Sequence, residues 1–149
     1  STLWAIDILK EEGFDYSSSI YPVKHDLYGI PDAPRTKYRH PNGLYEIPIS
    51  TVELFGKNLP CGGGGFFRLY PYAFSHWLLQ KSRQQTEAPV NFYFHPWELD
   101  PDQPKQRQAS ARSRFRHYLN LSKTHERLAR LINDFSWDRM DRVYFQECR

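Results

Sequence analysis

The sequence has little cysteine, little net charge and no long apolar run. Its 149 residues include only two cysteines, Cys61 and Cys148, too few for a disulfide framework and too isolated for a zinc motif, so we expect a reducing compartment. The net charge of +3 argues against a disordered tail and against the strong basic footprint of nucleic-acid-binding domains. No stretch approaches the ~18 consecutive apolar residues that span a bilayer. We therefore expect a soluble protein with neither a nucleic-acid partner nor a membrane span.

The N-terminus lacks an initiator methionine and lacks the basic and then apolar pattern of a secretory signal. Ser1 or Thr2 would instead suit the capping position of a helix. These features predict a cytoplasmic protein, and a chain that begins inside a longer one.

What the sequence does have is aromatic residues, which make up 16% of the chain and suffice for the core of one compact domain. Helical spacing predicts a first helix over 2–12 that ends at Gly13, followed by a short strand over 14–21. Four prolines between residues 22 and 42 predict a long loop. Alternation over 44–52 then predicts a strand with one buried and one wet face. The buried face would carry Tyr45, Ile47 and Ile49, and the wet face Glu46, Pro48 and Ser50.

In the second half of the chain, the glycine run 62–65 predicts a loop, and Pro71 predicts the start of a helix that extends to about Gln85. The apolar stripe of this helix would carry Phe74, Trp77, Leu78 and Lys81. The run 90–94 predicts a buried strand that ends at His95. A further helix begins at Ser122, with Leu128, Leu131, Ile132 and Phe135 on its apolar side, and 141–146 predicts a closing strand.

This order of helices and strands is typical of part of an α/β barrel. In such barrels the chemistry collects where strands run into loops at their C-terminal ends. Ser50, the glycine run and His95 are therefore candidates to lie around one mouth.

His95 is the sharpest chemical candidate, because an imidazole beside Trp97 and the acids Glu98 and Asp100 suits general acid or base catalysis. A structural histidine that ends a strand is the alternative. Glu46 could point into the same mouth and orient the histidine, or it could be a solvated glutamate that faces outward.

The spacing of histidines, cysteines and acids gives no complete metal site. His25 and Asp26 are adjacent, so on an extended chain they point to opposite sides. His117 and His125 are eight residues apart, beyond the i, i+4 spacing of a helical metal pair.

The glycine run lacks the Gly-Lys-Ser or Gly-Lys-Thr ending of a phosphate-binding loop, and close approach of the backbone to a ligand or a neighbouring strand explains it better. The aromatic residues around it could stack on a sugar or belong to the core. A basic run later in the sequence predicts a helix face exposed to solvent. It comprises Arg112, Arg114, Arg116 and Lys123.

The segment 92–101, Phe-Tyr-Phe-His-Pro-Trp-Glu-Leu-Asp-Pro, resembles the last motif of NodB-type polysaccharide deacetylases. Four further stretches resemble the exosortase-associated branch of that family, which has its own extension. These are 16–22, 25–34, Asn58-Leu59-Pro60 with the glycine run, and 114–118. The resemblance covers most of the chain.

The resemblance implies a partial, distorted (β/α) barrel over 1–100 that includes a family-specific loop insertion, with a helical extension over 101–149. It also implies a metal-dependent hydrolase, most simply a zinc enzyme of exopolysaccharide biosynthesis, that removes acetyl groups from N-acetylated sugars. His95 matches the family's proton donor, and Glu46 stands near the place of its acidic partner. The sugar cleft would be formed by Gly64, Gly65, Phe66, Arg68 and Trp97.

The family's metal ligands and catalytic aspartate would precede residue 1, together with the other half of the barrel. We therefore expect no metal site in this chain and no activity from it alone. The alternative is a module without catalysis that binds glycans or docks in an assembly. An unrelated α/β hydrolase is a third possibility, although no GxSxG serine motif occurs.

Overall fold

The computed structural model describes residues 3–25 and 28–145. The helices are α1 (Ala5–Glu11), α2 (Gly64–Leu69), α3 (Tyr72–Thr86), α4 (Ala111–Tyr118), α5 (Leu121–Asp134) and α6 (Met140–Phe145), with one 3-10 helix at Pro96–Leu99. The strands are β1 (Tyr16–Ser17), β2 (Tyr38–Arg39), β3 (Tyr45–Glu46), β4 (Thr51–Leu54) and β5 (Lys57–Pro60).

The predicted first helix is confirmed as α1, and its end is set by the backbone of Gly13. Gly13 has φ +84°, a left-handed conformation that glycine adopts without steric cost. The predicted caps Ser1 and Thr2 lie outside the described residues. The helix is mostly exposed and buries Ile6 alone among its residues.

A three-stranded sheet follows with the order β1, β3, β2. β1 is parallel to β3, whereas β2 is antiparallel to it, and each of these strands has only two residues. The predicted strand over 14–21 is therefore correct in type but too long. The predicted loop over 22–42 is wrong at Tyr38–Arg39, because backbone pairing with β3 overrides a local sequence rich in proline and polar residues.

The single strand predicted over 44–52 is wrong, because the chain enters two different sheets there. β3 belongs to the first sheet and β4 to a hairpin with β5. Pro48, between them, has no N–H group for a sheet ladder. The predicted wet face is wrong too, since Glu46 is 0% exposed and Ser50 is 6% exposed.

The glycine run is not entirely a loop, which corrects the prediction for 62–65. α2 begins at Gly64, after Gly63 pairs with Tyr93 in an isolated parallel bridge. The backbones of the two segments are joined by hydrogen bonds from Gly64 N to Tyr93 O (2.9 Å) and from Tyr93 N to Gly62 O (2.8 Å).

The helix predicted after Pro71 is confirmed as α3. Its predicted apolar stripe is only partly correct, because Leu78 is fully buried whereas Phe74 and Trp77 are about two-fifths exposed. The principal core lies between α3, the hairpin, α2 and α5. Its buried members are Val52, Cys61, Phe67, Tyr72, Leu78, Leu79 and Leu131.

The helix predicted from Ser122 is confirmed as α5, which buries Leu131 but leaves Ile132 exposed. The strand predicted at 90–94 is wrong, since only Tyr93 makes a bridge there. The closing strand predicted at 141–146 is wrong as well, because α6 occupies Met140–Phe145. Short apolar runs do not by themselves distinguish a strand from a helix.

The described chain is thus a mixed α/β structure with two small sheets and no closed barrel. A partial barrel stays a prediction. None of the helices in residues 3–25 and 28–145 has the length and apolar character needed to cross a membrane.

Candidate functional site

His95 immediately precedes the 3-10 helix and is exposed to solvent. Its backbone N donates a hydrogen bond to Glu98 Oε2 at 3.2 Å, and its backbone O accepts one from Glu98 N at 2.9 Å. Pro96 occupies a first-turn position, where a missing N–H costs no helical hydrogen bond. The local sequence therefore fixes the backbone of the turn and leaves the imidazole ring at the surface.

The imidazole lies between two other aromatic rings of its own segment. Tyr93 meets it edge to face with ring centroids 5.5 Å apart, and Trp97 is nearly parallel to it at 5.9 Å. Trp97 in turn stacks on His117 of α4 at 4.3 Å, with an interplanar angle of 9°. A continuous line of rings thus runs from Tyr93 to the C-terminal helices.

Beneath this turn is a buried ion pair between Glu98 and Arg68. Arg68 Nη2 lies 3.2 Å from Glu98 Oε1, and both side chains are 3% exposed. Arg68 Nη1 also donates to the carbonyls of His117 (2.9 Å) and Leu119 (3.0 Å). Arg68 therefore joins α2, the His95 turn and the C-terminal helices.

These internal contacts limit what Arg68 can do for a ligand. Its carbonyl accepts hydrogen bonds from Asn120 Nδ2 (2.7 Å) and from Arg127 Nη1 (3.0 Å), and its guanidinium lies 5.1 Å from the ring of Trp97. Direct contact with a sugar stays a prediction for Arg68. The observed contacts make it a support for the site.

The glycines allow unusually close packing around the same turn. A Cβ on Gly64 would collide with the Glu98 carboxylate, and one on Gly62 would collide with Asn91 O. Gly65 is different, because it is exposed and a Cβ there would meet nothing within 4 Å. Gly64 therefore makes room for the ion pair, and Gly65 leaves an open surface beside it.

A second group of rings lies on the other side of the glycine segment. Tyr21 meets Tyr93 edge to face at 6.4 Å and stacks on Tyr28 at 6.2 Å. The half-buried Phe66 meets His25 edge to face at 6.1 Å. Gly64 and Trp97 thus lie next to the His95 turn, whereas the ring of Phe66 meets His25 and Tyr70.

The hydroxyl of Tyr21 is buried in this group and has no hydrogen-bond partner in the described part of the chain. Burial is the main cause that raises its pKa well above the ordinary value, and the nearby Cys61 thiol adds to the effect. The phenol therefore stays neutral at physiological pH. Sequence reasoning missed this residue as a neighbour of the site, because the contact depends on the loop that returns from Pro22.

Glu46 lies in a different environment from the one the sequence suggested. Its Oε1 accepts hydrogen bonds from the backbone N atoms of Ser19 (2.7 Å) and Ile20 (2.9 Å). Its Oε2 lies 3.6 Å from His40 Nε2. Its observed contacts are thus with the first sheet and with His40, and its predicted action on His95 stays untested.

His40 also borders a cleft of about 580 Å³. The cleft lies among α1, residues 30–34 and residues 38–42 and does not include His95 or the glycine run. Sequence reasoning singled out no residue for a role there. The pairing of His40 with Glu46 was hidden because β2 could not be recognised from its local sequence.

The described residues provide no metal centre. Over 3–25 and 28–145, no group of three or more His, Cys, Asp and Glu side chains is arranged to hold an ion. Asp26, the neighbour of His25 in sequence, lies outside these residues. The divalent metal implied by the sequence resemblance stays a prediction.

Comparison with known proteins gives one relationship. The sequence model of a domain of unknown function, DUF3473, matches residues 18–145. No curated protein and no solved structure matches the chain.

Proposed function

The chain belongs to the DUF3473 family, and from its site we propose that it forms the part of a polysaccharide N-deacetylase that contacts the sugar and donates a proton. The observation that carries the proposal is the exposed imidazole of His95, flanked by aromatic rings and based on a buried ion pair. The resemblance of residues 92–101 to the last NodB motif supplies the reaction class.

The proposed role of His95 is that of general acid. Hydrolysis of an N-acetyl group adds a water oxygen to the acetyl carbon and breaks the C–N bond, and the departing nitrogen must gain a proton to leave as an amine. A protonated imidazole can give that proton and become neutral, and histidine is the side chain used most often for such transfers. The products are acetate and a free amino sugar.

The surface around His95 suits a sugar ring. Aromatic side chains have apolar faces and, in Tyr and Trp, a polar group at the edge. A pyranose ring likewise has apolar faces and polar edges, so the two kinds of ring can stack. Tyr93 and Trp97 flank the imidazole, and the exposed backbone at Gly65 leaves space next to Phe66. We assign Gly64 and Arg68 to supporting this surface, because both pack against Glu98.

We propose no residue of this chain as the group that activates the attacking water. The described residues lack a metal-holding group, and Glu46 contacts His40 and backbone N–H groups. The chain by itself is therefore expected to bind N-acetylated oligosaccharides without hydrolysing them.

A module that binds glycans without catalysis is the second candidate. The network of rings from Tyr21 to His117 favours it, because such a surface can hold a sugar polymer without any proton transfer. In that case His95 would only be one more ring of the binding surface.

The experiment that separates the two uses His95→Gln in the whole protein that carries this chain. We expect acetate release from an N-acetylglucosamine oligomer to fall by about 10²-fold or more, with little change in oligomer binding measured by calorimetry. His125→Gln is the matched control, because His125 is exposed on α5. Equal acetate release by both variants would overturn the acid role, and oligomer binding with no acetate release by the wild type would favour the binding module.

A further inference from the structure

The small net charge of the chain conceals a strongly basic segment, residues 103–125, next to the proposed sugar site. This segment contains six of the 20 basic residues and none of the 17 acidic residues. Its cations are Lys105, Arg107, Arg112, Arg114, Arg116 and Lys123. The rest of the chain therefore contains more acidic than basic residues, which the overall sum does not show.

The basic segment is fixed against the site by a short series of contacts. His117 stacks on Trp97, and its Nε2 lies 2.6 Å from Gln103 Oε1. Gln103 Nε2 also donates to Trp97 O at 3.0 Å. Farther along, Tyr118 Oη donates to Pro104 O at 2.8 Å and accepts from Gln106 N at 2.7 Å. These bonds hold the loop before α4 against the last turn of that helix.

These contacts bring three of the cations, Lys105, Arg107 and Arg114, to the side of the His95 turn that carries Trp97. Lys105 and Arg107 lie in the loop that Tyr118 fastens. Arg114 precedes His117 by three residues, so it is a neighbour of His117 on the surface of α4. All three cations are exposed, and within residues 3–25 and 28–145 none of them makes an ion pair with a carboxylate.

Among the described residues, the acidic groups near the site do not pair with Lys105, Arg107 or Arg114. Glu98 is already paired with Arg68 in the interior. Asp100 and Asp102 are exposed on the turn before the segment, where Asp100 Oδ1 accepts a hydrogen bond from Asp102 N. They precede residues 103–125, which contain no Asp or Glu, and the exposed cations Lys105, Arg107 and Arg114 make the surface beyond Trp97 positive.

We infer that the polymer bound at the His95 site is an anionic polysaccharide, whose carboxylate-bearing units lie along residues 103–118 while an N-acetylated unit lies beside His95. This inference rests on the proposed function and names its substrate class. Guanidinium and ammonium groups attract carboxylates spaced along a chain, and several weak contacts add up over a polymer. Continuity with the aromatic site favours a polysaccharide over other polyanions.

The test compares two oligosaccharides of equal length for binding to the 149-residue chain. One is a hyaluronan oligomer, which alternates glucuronate with N-acetylglucosamine, and the other is a neutral N-acetylglucosamine oligomer. We expect the charged oligomer to bind on the order of tenfold more tightly at low salt and to lose this advantage as salt rises, because screening weakens contacts between exposed charges. Binding of the neutral oligomer should not depend on salt.

A triple variant locates the effect. Lys105→Gln with Arg107→Gln and Arg114→Gln should bring the affinity for hyaluronan down to that for the neutral oligomer and leave neutral binding unchanged. The control removes three charges elsewhere, at Lys10, Lys57 and Arg83, and should keep the preference.

Three results would overturn the inference alone, and a fourth would overturn it together with the proposed function. The first is equal affinity of the wild type for the two oligomers, which would leave the proposed function intact because the neutral oligomer still binds. The second is an equal loss of affinity for hyaluronan in the two triple variants. The third is competition by single-stranded DNA of matched charge that is as strong as competition by hyaluronan, which would indicate a general polyanion surface. Failure of both oligomers to bind would reject the proposed function as well.

Discussion

Arg68 Nη2 lies 3.2 Å from Glu98 Oε1 in a position where neither side chain is more than 3% exposed. The pair joins α2 to the turn that carries His95, and the same guanidinium binds the carbonyls of His117 and Leu119 at the end of α4. A contact between residues 30 positions apart thus connects the glycine segment, the proposed acid and the C-terminal helices.

Removing one partner of this pair should destabilise the protein strongly. Glu98→Gln leaves the buried guanidinium without its counter-charge, and such changes typically cost about 3–5 kcal/mol. Urea denaturation followed by circular dichroism measures the loss. Arg142→Gln breaks an exposed pair with Asp138 and should cost no more than about 0.5 kcal/mol. Similar losses in the two variants would show that the Arg68–Glu98 pair contributes little.

The neighbouring glycines should respond differently to the same change. In Gly64→Ala the new methyl group meets the Glu98 carboxylate, and we expect a loss of about 1–3 kcal/mol in the free energy of unfolding. Gly65→Ala adds a methyl group in open space within a helix, so stability should stay equal or rise by up to about 1 kcal/mol. Thermal or urea unfolding of the two variants compares them directly, and a tolerated Gly64→Ala would contradict the packing described.

Glu46→Gln tests whether this carboxylate supports the first sheet or acts on His95. The substitution weakens the hydrogen bonds from Ser19 N and Ile20 N and removes the charge beside His40, so we expect a loss of about 1.5–3 kcal/mol. Glu53→Gln, at an exposed glutamate of β4, is the control. The NMR chemical shifts of the His95 ring should be the same in Glu46→Gln and in the wild type. Changed chemical shifts of that ring would instead support the partnership predicted from the sequence.

The buried thiol of Cys61 makes the folded state sensitive to alkaline pH. Burial raises its pKa from the ordinary 9.0 to about 12. Because the pKa is higher in the folded state, the stabilising contribution is complete below pH 9.0 and declines as the pH rises toward about 12. The free energy of unfolding should therefore fall with pH in this range, by at most about 1.4 kcal/mol per pH unit from this group.

Cys61→Val provides the comparison for this pH dependence. The variant lacks the thiol, so its free energy of unfolding should fall less steeply above pH 9.0 than that of the wild type. In a Cys148→Ser background, the remaining Cys61 thiol should also react with a disulfide reagent only as fast as the protein unfolds. Identical pH slopes for wild type and Cys61→Val would show that the thiol does not contribute.

Sequence patterns predicted the parts of the fold in which local and global preferences agree. Gly13 ends α1 because its left-handed backbone has no steric cost. The helices after Pro71 and around Leu131 followed from apolar spacing and were confirmed. The part of the basic segment from Arg112 to Lys123 was recognised in the sequence, but as a solvated face, because its proximity to Trp97 depends on tertiary packing.

The errors arose where long-range pairing decides the local structure. Residues 44–52 alternate as one strand would, yet the chain divides between two sheets there. Glu46 was expected on a wet face, but it is fully buried, and the backbone N–H groups of Ser19 and Ile20 donate to its carboxylate. Neither outcome can be read from nearby residues.

The sequence alone determined the residue types of the site, namely an imidazole at the end of an apolar segment, glycines that permit close packing, and aromatic rings in between. Folding alone decided which of them meet. Glu98 forms an ion pair with Arg68, which is 30 positions away in the sequence. Trp97 stacks on His117, and the carboxylate of Glu46 lies next to His40. The physical reason is that a buried charge or ring takes its partner from whatever segment packs against it, and hydrophobic burial and backbone pairing throughout the chain select that segment.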